Sequence, residues 1–198
     1  MNKIIFICFA FLMICLGAQA QDRKVDFKLQ PNGTFLSEDG SDFIVIEFDG
    51  MTAEELHSMV KNNVMSLYNS PKDVMSESGN NVITIFAIEK NIWQVKSLGA
   101  TGIYGGHYKL VFKFKDGRIR IDAPIIDNKL EMTDGAFTNT IGIPSNVDLS
   151  KTAKKLCNSK KEKDKLKKAS IESIVNDPIN YLLGLSQSQK HNDADDDW

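Results

Sequence analysis

Tyr108-Lys109-Leu110-Val111-Phe112-Lys113-Phe114-Lys115-Asp116-Gly117-Arg118-Ile119-Arg120-Ile121-Asp122-Ala123 decides the fold. Tyr108, Leu110, Phe112 and Phe114 alternate with Lys109, Val111, Lys113 and Lys115. Beyond Asp116-Gly117, Ile119, Ile121 and Ala123 alternate with Arg118, Arg120 and Asp122. Successive side chains of a strand point to opposite faces, so the stretch has one apolar face and one mostly basic face. Asp-Gly between two such runs is a strong signal for a two-residue hairpin loop. That loop sets the register. Phe114 faces Ile119 and Phe112 faces Ile121 on the buried side, while Lys115 faces Arg118 and Lys113 faces Arg120 on the other.

Like charges placed directly opposite each other destabilise a sheet. Two readings follow. In one, acids on neighbouring strands neutralise the cations and the face is solvated, as one face of an antiparallel sheet commonly is. In the other, the face is kept basic for a partner. Lys113, Lys115, Arg118 and Arg120 are therefore candidate binding residues.

The chain has 198 residues, 42% hydrophobic and 25% charged, which fits one globular domain able to bury a core without staples. Residues 1–20 read as a secretory signal peptide: Lys3, the apolar run Ile4 to Leu16, then Ala18-Gln19-Ala20 before Gln21. The run is too short for a comfortable membrane span, so no transmembrane segment is expected after cleavage. The expected location is periplasmic or secreted. Cys15 offers a competing lipoprotein reading with an outer-membrane anchor, although Ile14 stands where that signal wants a small residue. Cys8 and Cys15 lie in the leader, so only Cys157 survives cleavage and no internal disulfide forms. Losing Lys3 takes the net charge from −2 to −3, and export together with negative charge disfavours nucleic acid as a partner.

Along the mature chain, residues 21–40 read as an irregular lead-in with a short strand near Val25 to Leu29. Phe43 to Phe48 reads as a central strand, because apolar residues occupy both of its faces. Thr52 and Glu55 form a capping box for a helix with Leu56, Met59, Val60, Val64 and Leu67 at helical spacing. Lys72 to Glu77 suits a short edge strand, Val82 to Ile88 an inner strand, and Ile92 to Leu98 a weaker one. Gly99 to Gly106 reads as a glycine-rich loop, with Tyr104 a candidate lining residue of a binding surface. Residues 127–185 read as a linker followed by helices. One helix is expected over Leu156 to Val175, with Leu166, Ala169, Ser170, Ile171 and Ile174 inward. A second is expected from Asp177-Pro178, an N-cap with proline at N1. Residues 186–198 read as a disordered acidic tail. The fold class expected is α+β: an antiparallel sheet with a capping helix, in the order β-α-β-β-β-β over residues 41–126, followed by C-terminal helices.

Three stretches together carry a family resemblance. Met51-Thr52-Ala53-Glu54-Glu55-Leu56 enters the first helix, Tyr68-Asn69-Ser70-Pro71-Lys72-Asp73-Val74 leaves it, and Phe114-Lys115-Asp116-Gly117-Arg118-Ile119-Arg120 forms the hairpin tip. They resemble the domain of unknown function 4468 family, exported bacterial envelope proteins with a TATA-binding-protein-like fold. The resemblance implies that fold over about Ser41 to Ile126, and it implies no catalytic residues.

No constellation of side chains supports catalysis. His57 stands near the helix start on its polar side and reads as solvated, His107 opens a strand, and His191 lies in the tail; none has metal-ligand spacing. Cys157 with His107 is the one Cys/His pair, and no motif surrounds it. The glycine-rich segment lacks the Gly-Lys-Ser/Thr ending of a phosphate loop. No cofactor and no metal are expected. The lysines from Lys151 to Lys168 read as a solvated helix face, with attachment to anionic lipid or polysaccharide as the second reading. The functional expectation is a non-enzymatic binding or accessory domain of the cell envelope. Its basic sheet face would meet an anionic component: a glycan, a lipid headgroup or an acidic protein. The rivals are an enzyme on the same scaffold and a structural assembly subunit.

Overall fold

The computed structural model describes residues 24–97, 99–135 and 143–185. The leader and the acidic tail of the sequence reading lie outside these residues. The fold is α+β. In chain order come β1 (Lys28–Leu29), β2 (Phe35–Leu36), β3 (Phe43–Glu47), helices α1 (Ala53–Leu67) and α2 (Pro71–Val74), and β4 (Met75–Ser78). Then follow β5 (Val82–Ser97), β6 (Ala100–Lys115), β7 (Arg118–Ile126), β8 (Lys129–Gly135), β9 (Asn146–Asp148), α3 (Leu149–Cys157) and α4 (Glu162–Leu182). Seven strands form one antiparallel sheet. Its order is β3-β7-β6-β5-β4, and β8 pairs with the first part of β6 and carries β9.

The expected hairpin is β6–β7, with Phe114 on Ile119, Phe112 on Ile121, Lys113 on Arg120 and Lys115 on Arg118. Gly117 sits at φ +74°, the left-handed conformation that glycine adopts without a Cβ penalty. Asp116 has a second job: its carboxylate accepts from the Ala53 N–H at 2.8 Å, and Gly117 N–H donates to the Met51 carbonyl. The hairpin tip thus satisfies an orphan donor in the first turn of α1, beside the Thr52/Glu55 capping box, which is present as expected. Leu56, Val60 and Val64 of α1 are fully buried together with Phe112, Ile119 and Ile121 of the hairpin's inner face.

Several expectations change. Phe43–Glu47 is an edge strand, paired only with β7. Its outward apolar residues Phe43 and Val45 are surface groups, Val45 being 39% exposed. The glycine-rich segment is the first half of β6, not a loop. There the five residues of β5 from Glu89 to Trp93 oppose three of β6, Tyr104 to Gly106, a bulge. A Cβ on Gly105 would lie 2.4 Å from the Glu89 carbonyl oxygen, so the glycine is required by close packing of the backbones. His57 is buried rather than solvated: its ring packs edge-on against Phe114, and Nε2 lies 3.2 Å from Glu77 Oε2, an ion-pair distance without hydrogen-bond alignment.

The largest change concerns the two ends of the described chain. The lead-in is part of the core: Val25, Phe27, Leu29 and Phe35 are at most 2% exposed, and β1 and β2 form a small hairpin around Pro31-Asn32-Gly33. Its backbone is read by α4. Glu172 accepts from Leu29 N–H (2.8 Å), Asn176 from Phe27 N–H (2.9 Å) and Asn180 from Val25 N–H (2.8 Å). The two asparagines also donate to the carbonyls of Phe27 and Val25. This ladder fixes the rotation of α4. Ile171, Val175, Ile179 and Leu182 face in, and Leu166 stands 70% exposed, with Ala169 and Ser170 also outward. It also carries the helix straight through Pro178, so Asp177-Pro178 starts no new helix. Among the described residues, no helix is long and apolar enough to cross a membrane.

Candidate functional site

Helices α1 and α4 pack on one face of the sheet, with the inward side chains of β3, β5, β6 and β7. The register places the remaining side chains of these strands in rows on the opposite face. Nearest the hairpin tip, Glu47, Arg118 and Lys115 stand side by side; in the next row stand Val45, Arg120, Lys113 and Val82. Farther along, Phe86 and Ile125 flank Lys109, and Ile88 stands opposite His107. The four cations named from sequence are therefore brought together. With Phe43 and Val45 they line a concavity of about 510 Å³.

The electrostatics of this face divide into two zones. Asp122, two residues beyond Arg120 on β7, reaches Lys113 Nζ at 2.6 Å and Arg120 Nε at 2.8 Å. Burial pushes the Asp122 carboxyl up, but the hydrogen bonds from Lys113 and Arg120 outweigh it and hold the group below its ordinary 3.8. The repulsion expected between Lys113 and Arg120 is thus relieved within the hairpin itself. The outer pair, Lys115 and Arg118, projects beyond Asp122, with Glu47 opposite Arg118 in register. The Arg120 guanidinium also lies over the Phe43 ring, 4.0 Å from its centroid. That contact orients the guanidinium along the concavity wall and combines an apolar surface with a planar bidentate donor.

Tyr104 does not belong to this surface. It is fully buried, and its hydroxyl donates to the Pro144 carbonyl at 2.5 Å. In the continuous strand β6, period two puts Tyr104 on the same face as the buried Tyr108, Leu110, Phe112 and Phe114, so it is a packing residue. The Cys/His pair is also separated by function: Cys157 Sγ donates to the Leu29 carbonyl, and His107 Nδ1 lies 2.9 Å from Asp127 Oδ2 while its ring stacks on Phe86. Burial pushes the Cys157 thiol up, away from the thiolate a nucleophile needs. Among the described residues, no group of three His, Cys, Asp or Glu converges as a metal site would require. The lysine-rich stretch is partly engaged: Lys151 with Asp148, Lys165 with Glu162, Lys168 with Glu172, and Lys167 over the Trp93 ring.

Reasoning from the hairpin alone missed Phe43, Val45 and Asp122 as parts of the site. Asp122 was visible, since it shares a face with Arg118 and Arg120 at period two. Phe43 and Val45 join only through the β3–β7 pairing, which no local pattern announces.

No known protein family and no curated protein matches this chain. Among solved structures it is similar to the crystal structure of a TBP-like protein from Parabacteroides distasonis ATCC 8503, at 12% identity and a TM-score of 0.48, across 72% of this chain and 89% of that one.

Proposed function

We propose that the protein is an exported envelope protein of the domain of unknown function 4468 family. In this reading its open sheet face binds an anionic partner and carries out no chemistry of its own. The observation that supports the reading is the concavity in which Lys113, Lys115, Arg118 and Arg120 stand around an apolar floor of Phe43 and Val45. Such a site offers charge-assisted hydrogen bonds from two guanidinium groups, the better bidentate donors for phosphate or carboxylate. The family assignment rests on the three motif stretches, two of which cooperate through the Asp116–Ala53 hydrogen bond. Export rests on the leader-like residues 1–20; a native protein whose first residue is not Gln21 would count against it.

Titration with inorganic polyphosphate tests the binding. Exposed charges are screened over about 8 Å at physiological salt, so affinity should fall steeply as salt is added. An Arg118→Ala, Arg120→Ala double variant should lose about a hundredfold or more, because each charge-assisted bond contributes roughly 1.5 kcal/mol or more. Equal binding by this variant would reduce the face to a solvated surface.

A further inference from the structure

We infer that the open sheet face docks on an anionic lipid surface, with Phe86, Ile88 and Ile125 entering the headgroup layer between the cations. This deepens the anion-binding reading and rests on it. The inference comes from what the rest of the face carries. Six large apolar side chains are exposed on the described molecule, and four of them share this face: Val45 (39%), Phe86 (53%), Ile125 (60%) and Ile88 (63%). Phe86 and Ile88 follow each other at period two on β5, Ile125 lies beyond Lys109 in the same row as Phe86, and Val45 stands apart. Each stands beside a cation or the His107 ring on a neighbouring strand: Val45 by Arg120, Phe86 and Ile125 on either side of Lys109, Ile88 by His107. The two rows are four residues apart along β6, about 13 Å.

The charge of the face departs from that of the whole chain. Lys109, Lys113, Lys115, Arg118 and Arg120 stand against Glu47, Asp122 and Asp127, leaving a net of +2, whereas the full chain carries −2. An alternation of apolar tips with long cationic side chains, spread over a sheet face, suits a lipid interface. Apolar groups pass below the level of the phosphates while Lys and Arg keep their heads at that level. A protein partner would ask for a contiguous apolar centre with a polar rim, and here Lys109 divides Phe86 and Ile88 from Ile125, while Val45 stands in a separate row beside Arg120. A charged glycan would engage the cations but give the aliphatic Ile88 and Ile125 nothing apolar to meet. The stacking of Phe86 on His107, with centroids 4.7 Å apart, fixes that ring in place on the face.

Cosedimentation with vesicles tests the inference, using phosphatidylcholine with and without one third phosphatidylglycerol. The protein should partition onto the anionic vesicles and not onto pure phosphatidylcholine. Each cation near an anionic surface contributes roughly fivefold, so the Arg118→Ala, Arg120→Ala variant should lose about thirtyfold. A Phe86→Ser, Ile125→Ser variant, with every cation retained, should lose about tenfold or more on vesicles and bind polyphosphate as the parent does. Both side chains are exposed, so its thermal melt should match the parent's; if the double variant folds poorly, Ile125→Ser alone is read in the same way. Vesicle binding indifferent to the apolar pair overturns the inference and leaves the anion reading standing. So does binding of polyphosphate with no partition onto vesicles. Binding of poly-glutamate as tight as that of anionic vesicles, and equally sensitive to the apolar pair, points to an acidic protein and overturns it as well. Failure to bind any of the three anions removes both readings.

Discussion

Replacing Asn176 by alanine strips the backbone of Phe27 of two hydrogen bonds at once. The amide of Asn176 accepts from the Phe27 N–H at 2.9 Å and donates to the Phe27 carbonyl at 3.0 Å, both in buried surroundings. Four residues of helix rise about 6 Å, and two residues of strand advance about 6.7 Å. Positions 172, 176 and 180 can therefore serve residues 29, 27 and 25 in succession with little mismatch. In the Asn176→Ala variant, neither group of Phe27 has a replacement nearby, because Phe27 is fully buried. An unsatisfied buried backbone group costs about 1–3 kcal/mol, so the pair costs about 2–6 kcal/mol. The better helix propensity of alanine returns at most about 0.7 kcal/mol. A net loss of about 2–5 kcal/mol is a large share of the roughly 5–15 kcal/mol that stabilises a domain. Urea denaturation followed by circular dichroism reads the loss, with an unchanged slope showing that the unfolded reference is the same. Hydrogen exchange at the Phe27 amide reads the mechanism, since protection there should fall to the level of local opening. An Asn176→Asp variant should fare no better, because it keeps the acceptor but turns a carboxylate toward the Phe27 carbonyl. A loss under about 1 kcal/mol with the Phe27 amide still protected would show that the ladder does not hold the N-terminal segment, and the reasoning would fail.

Two further outcomes follow from the hairpin. Asp116→Ala removes the acceptor for the Ala53 N–H and should cost toward the low end of the usual 0.5–2 kcal/mol for a lost helix cap, since water can reach the site; urea melts check it, and no change at all would remove Asp116 from the helix start. Asp122 titrates below its ordinary 3.8 in the folded chain, so its contribution to stability is complete above that value and is lost as pH falls through the depressed one. Melting temperatures of the parent and of Asp122→Asn should therefore differ by a constant amount at neutral to mildly acidic pH, begin to converge once pH falls below the ordinary 3.8 and coincide below the depressed value, whereas a gap that persists at lower pH would assign the effect to packing.

What was legible in the sequence was local. The β6–β7 hairpin is specified by period-two alternation on both sides of one Asp-Gly turn, so its register and its four facing cations could be read without any long-range information. The capping box of α1 lies within four residues for the same reason. The orientation of α4 was not legible, because it is set by partners 143 to 155 residues away. Hydrophobicity alone turned Leu166 inward and left Glu172, Asn176 and Asn180 to solvent. The available signal was their spacing of four, set against Val25, Phe27 and Leu29 at spacing two, a pairing of helix and strand periods rather than a motif. The glycines around Tyr104 read as a loop in sequence, whereas Gly105 is needed for the approach of β5 at the bulge. The apolar half of the candidate site was hidden by the assumption that a strand apolar on both faces is central. Phe43–Glu47 is an edge strand, and its second apolar face belongs to the concavity.

That exception bears on function more than any single motif does. The polar ladder of α4 and the burial of Val25, Phe27 and Leu29 complete a cover over one side of the sheet, drawing on residues from both ends of the described chain. Among the described residues no such cover lies on the opposite side, which keeps Val45, Phe86, Ile88 and Ile125 exposed. Single exposed apolar residues on a surface need no explanation, but four on one sheet face, interleaved with five cations, cost solubility without adding to the core. Asp122 separates the two roles of the hairpin cations. By binding Lys113 and Arg120 it removes the repulsion that folding would otherwise bear, while Lys115 and Arg118 stand farther out at the tip. Glu47 stands opposite Arg118 in register, so the tip row carries two cations beside one acid. On the proposed reading, a partner that carries negative charge and has an apolar layer would meet both these cations and the side chains between them.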